Sequence, residues 1–371
     1  MDFELTEEQE ILSRSAESFA RQSPVTRFRK VREARGDWSL ETWQKMAELG
    51  WLALPFGEDV GGLGGSIFEA SLIVEKLALT LVPEPYVPSV ILGGISLARA
   101  GDEEQRKRFI TPMTEGRTSL ALACTEPGSR YDLSAVATRA ERAAEGYVLD
   151  GRKIFALNGH RADHFVVTAR DAAGFVMFVV DRATPGLELT PIQTIDGLGA
   201  ANLQLRNVVV PADRRLTHGS IEAVTTAVDQ AAALAAAEGV GLCQAMLDLT
   251  VEYLKTREQF GVKIGTFQVL QHRAVDMFVE LELLRSISLE ACVRADGTDQ
   301  VASRAAISAA KVQLARAGKV VSQEAIQLHG GIGITDEHDI GLYFKRMTAL
   351  LALHGDEESH ARRYSSLPGW A

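Results

Sequence analysis

The spacing of apolar residues changes twice along the chain, and the first stretch is helical. Leu5, Ile11, Leu12 and Phe19 recur at intervals that place them on one face of a helix. The segment Thr6–Gln9 before this run matches a capping box, in which Thr and Gln side chains bond the free backbone groups of a helix start. The pattern therefore predicts a helix that begins directly after Thr6.

Further helices are predicted before Ser119. One spans residues 39–49 and ends at Gly50, because glycine readily adopts the backbone conformation that stops a helix. The glycine-rich segment Gly61–Gly65 breaks the chain before the next helical pattern. The following interruption is predicted to be a turn, and it is marked by three prolines, Pro83, Pro85 and Pro88.

A β region follows, and the helical period then returns from about Ile221 to the end. Its segments are short, rich in Val, Thr, Phe and Tyr, and separated by glycines. They are Ser119–Cys124, Ala135–Ala140, Tyr147–Ile154, Phe165–Ala169, Phe175–Asp181 and Leu203–Val210. The pattern predicts an α+β fold with a helical domain over 1–118, a small β-barrel or sandwich over 119–217, and a helical domain over 218–371.

Composition narrows the class of protein. A net charge of -10 argues against nucleic acid as a partner, since phosphate binding needs a basic surface. The chain has no run of about 18 consecutive apolar residues, so we expect no membrane span. Its first residues lack a basic targeting pattern, and we expect a cytoplasmic protein. The three cysteines form no CxxC pair, the eight histidines show no paired ligand spacing, and we expect no metal site.

Two glycine clusters invite a dinucleotide-binding interpretation, and neither supports it. Gly330, Gly331 and Gly333 follow a helical pattern, whereas a Rossmann fingerprint needs a strand before it and a helix after it. The Gly61–Gly65 cluster lacks a βαβ setting as well. Taken alone, both clusters favour tight turns.

The segment around Arg257 is a stronger candidate for a ligand-binding site than the two glycine clusters. Arg257, Gln259 and Phe260 end a helical pattern, and Gly261 and Gly265 release the backbone after it. Arginine offers a forked donor suited to a pyrophosphate, and phenylalanine offers a flat apolar face. If this motif stood alone, a helix-capping arginine beside a core phenylalanine would be the better interpretation.

The motif does not stand alone, because further ordered segments accompany it along the chain. They are Leu54-Pro55 with Gly61–Gly64, Thr125-Glu126-Pro127, Asp150-Gly151-Arg152-Lys153, Val208–Pro211, Tyr253–Gln268 and Gln327–Gly333. Together these segments resemble the flavin-binding and structural signatures of the acyl-CoA dehydrogenase family, and the resemblance covers essentially the whole chain. The resemblance implies three domains, ending in a C-terminal four-helix bundle, and a tetramer that holds FAD at a subunit interface.

In that family, the C-terminal helices of one subunit hold the adenine and pyrophosphate of the FAD seated in its neighbour. Carried over to this chain, the residues implied to clamp a neighbour's FAD are Arg257, Gln259, Phe260, Gln327, Gly330 and Gly331. Gln268 belongs to the same pattern. Thr125 is the cofactor-binding residue implied for the β domain.

The departures from the family pattern fall in the half of the site that would serve the chain's own FAD and substrate. The family's Lys-x-Trp-Ile-Thr-Asn reads Lys153–Asn158 here, and Leu157 replaces the hydroxyl that would face the flavin. The family's Gly-x-Arg-x-Ser-x-Thr loses its three polar residues, which are replaced by Gly199, Ala201 and Leu203.

The catalytic base is also absent from its usual place. Dehydrogenation of an acyl-CoA needs a carboxylate that removes the α-proton while hydride leaves Cβ. His354 occupies the position of the family's glutamate, and Ala231 occupies the alternative position used by some members. An imidazole could act as a base near neutral pH. A helix-end histidine beside Gly355-Asp356 is the simpler interpretation.

Three hypotheses follow from this sorting. The first is a non-catalytic subunit that clamps FAD in an α2β2 acyl-CoA dehydrogenase, similar to the small subunit of pimeloyl-CoA or steroid side-chain enzymes. Its partner would carry the catalytic Glu, and an electron-transfer flavoprotein would accept the electrons. The second is a self-sufficient homotetrameric flavoenzyme with His354 as base or with altered chemistry. The third is an assembly subunit with no flavin role.

Overall fold

The computed structural model describes residues 5–368, so Met1–Glu4 and 369–371 lie outside the described residues. Helices dominate both ends of the chain. They are α1 Glu7–Gln22, α2 Val25–Glu33, α3 Leu40–Glu48, α4 Ile67–Ala78, α5 Ser96–Ala100, α6 Glu103–Thr114, α7 Ile221–Thr256, α8 Gln268–Arg294, α9 Gln300–His329, α10 Ile340–Ala352 and α11 Glu357–Ser365. The predicted capping box is confirmed, with Thr6 and Gln9 bonded to each other's backbone amides.

The middle of the chain forms one mixed sheet, and a small hairpin follows α7. The strands are β1 Leu120–Ala123, β2 Arg139–Ala143, β3 Gly146–Leu157, β4 His164–Asp171, β5 Gly174–Asp181, β6 Leu187–Gln193, β7 Gly199–Pro211, β8 Glu258–Gln259 and β9 Val262–Lys263. The first seven make a sheet in the order β1-β4-β2-β3-β7-β6, with β5 paired to β4. Strands β1 and β2 run parallel to β4, and the other pairs are antiparallel.

The chain divides into two compact units. One contains residues 31–66 and 83–231, including the whole seven-stranded sheet, and its core includes Phe165, Phe178 and Leu203, all fully buried. The other contains residues 5–30, 67–82 and 232–368. The α+β class, with helices, then a sheet, then helices along the chain, is therefore confirmed.

Glycines on α7 let the helices of the second unit pack closely. A Cβ at Gly239 would lie 2.2 Å from Leu314 on α9, and one at Gly241 would lie 2.2 Å from the carbonyl oxygen of Glu75 on α4. Helix α7 is also long and apolar enough to cross a membrane, but 78% of its most apolar window is buried inside the protein. Burial of that kind is typical of a core helix.

Three elements differ from what the sequence pattern predicts, and the first is the strand predicted over Ala135–Ala140, which begins only at Arg139 and runs to Ala143. Pro83 and Pro85 lie in the predicted interruption between helices, whereas Pro88 lies inside a buried π-helix, Tyr86–Ile95, instead of a turn. Pro88 fits there because a helix start has backbone amides without acceptors, so the missing N–H costs little. Strand β6 is absent from the prediction, since Pro191 and partly exposed side chains obscure its pattern. It lies at the sheet edge, where proline is tolerated.

Candidate functional site: a clamp at the ends of α7 and α9

Helix α7 ends in a short hairpin that displays Phe260. Strands β8 and β9 pair around the turn, and Lys263 closes the helix by donating to the carbonyl of Thr256 at 3.1 Å. Phe260 has φ of 53° and is 92% exposed. The ring contacts Phe267 edge to face, with ring centroids 6.2 Å apart, yet most of this bulky side chain stays in water in a left-handed conformation that costs free energy. Its placement fits a surface that contacts another molecule.

Helix α9 ends in a glycine turn that is open on its outer side. The amide of Gly330 donates to the carbonyl of Gln327, and Gly330 has φ of 60° and ψ of -140°. A Cβ at Gly330 or Gly331 would meet no atom within 4 Å. At Gly333, by contrast, a Cβ would lie 2.7 Å from the carbonyl oxygen of Ile326. The chain's own packing explains Gly333 but not Gly331.

Three aromatic rings bring these two helix ends together. Tyr253, one turn before Arg257, stacks on His329 with ring centroids 4.7 Å apart and an interplanar angle of 25°. His338 lies 4.5 Å from His329 and 6.4 Å from Tyr253. The two sequence motifs are therefore neighbours in space, and we call Arg257, Gln259, Phe260, Gln268, Gln327, Gly330 and Gly331 the clamp residues.

Three polar side chains of the clamp residues are available to a ligand, whereas the amide of Gln259 donates to the carbonyl of Glu258 at 2.8 Å. All seven clamp residues are exposed. Within residues 5–368, the side chains of Arg257, Gln268 and Gln327 form no hydrogen bond or ion pair. An unpaired guanidinium, amides and open glycine backbone form a donor set that suits a dinucleotide pyrophosphate. The clamp residues thus fit an FAD molecule held from outside this chain.

The family signature around Thr125 is held by a buried ion pair in the sheet-containing unit. Lys153 is fully buried and donates to Glu126 at 2.6 Å and to Thr168 at 2.8 Å. Glu126 also accepts from the amide and hydroxyl of Thr138. Burial opposes ionisation of Glu126, but the hydrogen bonds from Lys153 and Thr138 outweigh it and lower its pKa. The carbonyl of half-buried Thr125 accepts from Ile154 at 2.8 Å, so this network fixes the segment around Thr125.

The strand that would face a flavin keeps its shape but has lost its polar side chains. Phe155 lies in a β-bulge with φ of 58°, is 45% exposed, and donates its amide to Asn202 at 3.1 Å. Leu157 is half-buried and offers no hydrogen bond. Ala201 and Leu203 belong to the fully buried core of the sheet. Polar groups restored at the last two positions would lie in an apolar core.

The space next to Gly199 is filled by the chain itself. A Cβ at Gly199 would lie 2.2 Å from the ring of His160. That ring is fixed by a 2.8 Å contact between Nε2 and the carbonyl oxygen of Gly36. A Cβ at Gly36 would in turn lie 2.4 Å from the amide nitrogen of Gly199. We call His160, Gly36 and Gly199 the plug, because the ring of His160 occupies the space into which a side chain at Gly199 would extend, and Gly199 is the position that the resemblance matches to the family's arginine.

His354 lies just beyond the end of α10. It has φ of 60°, and its carbonyl accepts from His360 at 2.9 Å. Burial, together with the positive charges of Lys311 and Arg346, lowers the pKa of His354 to about 3. Lys311 itself donates to the carbonyls at the end of α10. An imidazole with that pKa is a weak base at neutral pH, so the structure does not support His354 as the catalytic base.

Sequence reasoning missed the residues that join the motifs. Tyr253 and His329 belong to the quoted segments, but no sequence spacing shows that the two rings stack. His160 and Gly36 carry no motif at all, and the only signal for the plug is the missing side chain at Gly199.

Comparison with known proteins places the chain in a family. Models of the N-terminal, middle and C-terminal domains of acyl-CoA dehydrogenases match residues 6–117, 121–208 and 220–365. The probable acyl-CoA dehydrogenase YngJ of Bacillus subtilis (strain 168) is 32% identical over 354 residues, covering 92% of each chain. This chain therefore belongs to the acyl-CoA dehydrogenase family, whose members are FAD-dependent flavoenzymes.

Two solved structures whose names each join two proteins are also similar to this chain. A chain of the ChsE4-ChsE5 complex from Mycobacterium tuberculosis is 25% identical, with a TM-score of 0.88 and coverage of 98% of this chain and 97% of that one. A chain from a variant of the Tcur3481-Tcur3483 steroid ACAD is 28% identical, with a TM-score of 0.86 and coverage of 97% of both chains.

Proposed function

We propose that this chain is the non-catalytic, FAD-clamping subunit of an α2β2 acyl-CoA dehydrogenase. The observation that carries the proposal is the open glycine turn at Gly330 and Gly331 beside unpaired Arg257 and Gln327. Among the described residues the side chains of Arg257 and Gln327 have no partner, and these groups match the family's contacts to a neighbour's cofactor. The likeness to chains of the ChsE4-ChsE5 and Tcur3481-Tcur3483 pairs supports a heteromeric assembly.

Each clamp residue has a distinct task in this proposal. Arg257 would bind the pyrophosphate through its forked N–H groups. Phe260 would cover an apolar part of the dinucleotide, and Gln327 would donate from its amide. Gly330 and Gly331 would let the backbone approach the cofactor closely. Gln259 and Gln268 border the same surface.

The chemical step then falls to the partner, which we propose carries the catalytic Glu. When bound, FAD supplies the acceptor for the hydride that leaves Cβ of an acyl-CoA thioester. In this chain the plug fills the place of the family's arginine, Leu157 replaces the family's hydroxyl, and His354 has a pKa of about 3. We expect that Thr125 has a structural role only, and that it contacts no flavin because this chain's β domain binds none.

Three further parts of the proposal follow from likeness or composition. The electron acceptor is an electron-transfer flavoprotein, as the family resemblance implies. The substrate is a bulky acyl-CoA, and the steroid enzyme among the similar structures supports this class. The complex works in the cytoplasm, which agrees with three free cysteines.

The test is to co-express the chain with an acyl-CoA dehydrogenase subunit that carries the glutamate, and to count flavins and chains in the purified complex. We expect two FAD molecules in a complex of four chains. The variant Arg257→Ala should lower the FAD content by about tenfold or more, because a charge-assisted contact is lost. Lys255→Ala removes a nearby exposed charge on the same helix end and serves as the matched control.

Two results would contradict the proposal. One is a yellow homotetramer of this chain alone with one FAD in each subunit, since the plug would then not prevent binding. The other is unchanged FAD content in Arg257→Ala, which would leave the clamp residues without a cofactor role.

A further inference from the structure

We propose that the stacked rings of Tyr253 and His329 are the positioning element that holds the two halves of the clamp in register. This inference rests on the proposed function and names how its site is built. The two clamp segments follow different helices, α7 and α9. Tyr253 lies on α7 just before one segment, and His329 is the last residue of α9 just before the other. The stack at 4.7 Å is a direct side-chain contact between them.

Each ring is linked to its clamp segment through the backbone. The amide of Arg257 donates to the carbonyl of Tyr253 at 2.8 Å, so the ring and the guanidinium lie on adjacent turns of one helix end. His329 directly precedes Gly330. A change in the position of either ring therefore moves the backbone that carries a clamp residue.

The properties of His329 indicate that its ring surface matters more than its basicity. The residue is 2% exposed, and Nδ1 donates to the carbonyl of Ala325 at 2.7 Å. Nε2 is buried and has no hydrogen-bond partner among residues 5–368. Leaving a buried acceptor unpaired costs free energy. The ring is held there despite that cost, and it packs against both Tyr253 and His338, which also lie close to each other.

The test separates ring stacking from bulk stability. In the purified heteromeric complex, Tyr253→Leu removes the flat ring but keeps apolar volume, and Tyr253→Phe keeps the ring. We expect Tyr253→Leu to weaken FAD affinity by about three- to tenfold, the effect of losing one aromatic pair. Tyr253→Phe should stay within about twofold. FAD affinity is measured by titrating the apo-complex and following flavin fluorescence.

Tyr343→Leu is the control for stability. Tyr343 is buried in the same unit, and its hydroxyl donates to the carbonyl of Leu79. We expect this variant to lower the melting temperature while leaving FAD affinity unchanged. A second variant, His329→Phe, should retain affinity, since it preserves an aromatic surface.

The outcomes distinguish this inference from the proposed function. If Arg257→Ala weakens FAD binding but Tyr253→Leu does not, the positioning role is wrong and the clamping role stands. If Tyr253→Phe is as weak as Tyr253→Leu, the hydroxyl and not the stack is responsible, and the inference is overturned. If Arg257→Ala has no effect, the proposed function itself fails.

Discussion

The clamp at the ends of α7 and α9 and the start of β7 at Gly199 differ in what fills the space beside their glycines. At Gly331 a Cβ would meet nothing within 4 Å, and the nearby Arg257 is unpaired among the described residues. At Gly199 a Cβ would meet the ring of His160 at 2.2 Å. The space beside Gly331 is open to an external molecule, whereas the space beside Gly199 is filled by the ring of His160.

This contrast teaches how to interpret a family motif that is only half retained. An exposed phenylalanine in a left-handed conformation, such as Phe260, carries a conformational cost, and its edge contact with Phe267 still leaves most of the ring in water. Where the family's polar residues have been lost, the space has been packed, as it is by His160, Ala201 and Leu203. The difference agrees with a chain that serves a neighbour's cofactor and not one of its own.

The strongest test of the plug is to restore the family's arginine with Gly199→Arg. The new side chain would collide with His160, whose ring is fixed against Gly36. Overpacking of this kind costs about 1–3 kcal/mol. We expect a loss of that size in the free energy of unfolding, measured by urea denaturation, and no gain of FAD binding by the chain alone.

The double variant Gly199→Arg/His160→Gly is the control for this test. Removing the ring should recover part of the lost stability, since neighbouring substitutions that share a contact are not additive. If Gly199→Arg alone were as stable as the parent chain, the His160 ring would move aside at no cost. The plug would then not explain why the region around Gly199 differs from the clamp.

The clamp can be tested with two neighbouring glycines. Gly331→Ala adds a methyl group into open space, so we expect stability within about 0.5 kcal/mol of the parent but a several-fold loss of FAD affinity in the complex. Gly333→Ala places the same group 2.7 Å from the carbonyl of Ile326 and should cost about 1–3 kcal/mol in stability. Unchanged affinity in Gly331→Ala would mean that the open turn faces solvent only.

The sequence predicts the parts of the fold that depend on local pattern. The period of apolar residues locates α1 and the strand that ends at Asp181. The family resemblance supplies Arg257 and Gln327 as candidate cofactor contacts, and these stay predictions. The stack of Tyr253 on His329 and the plug cannot be predicted in this way. Each is formed by residues far apart in the chain, and only tertiary packing decides that they meet.

The smallest effect is expected at His354, where His354→Asn removes the imidazole and keeps a residue that tolerates a positive φ. The fold lowers the pKa from 6.5 to about 3, so the neutral form is favoured. The resulting stability is fully present above pH 6.5 and is lost as the pH falls from there towards 3. We expect the variant to flatten this acid limb in a series of denaturation curves. Activity of the complex and its pH profile should be unchanged at neutral pH, because a base this weak takes no α-proton there. A large loss of turnover with an unaltered acid limb would instead make His354 the base, and the homotetrameric alternative would then account for the chain better than a clamping subunit.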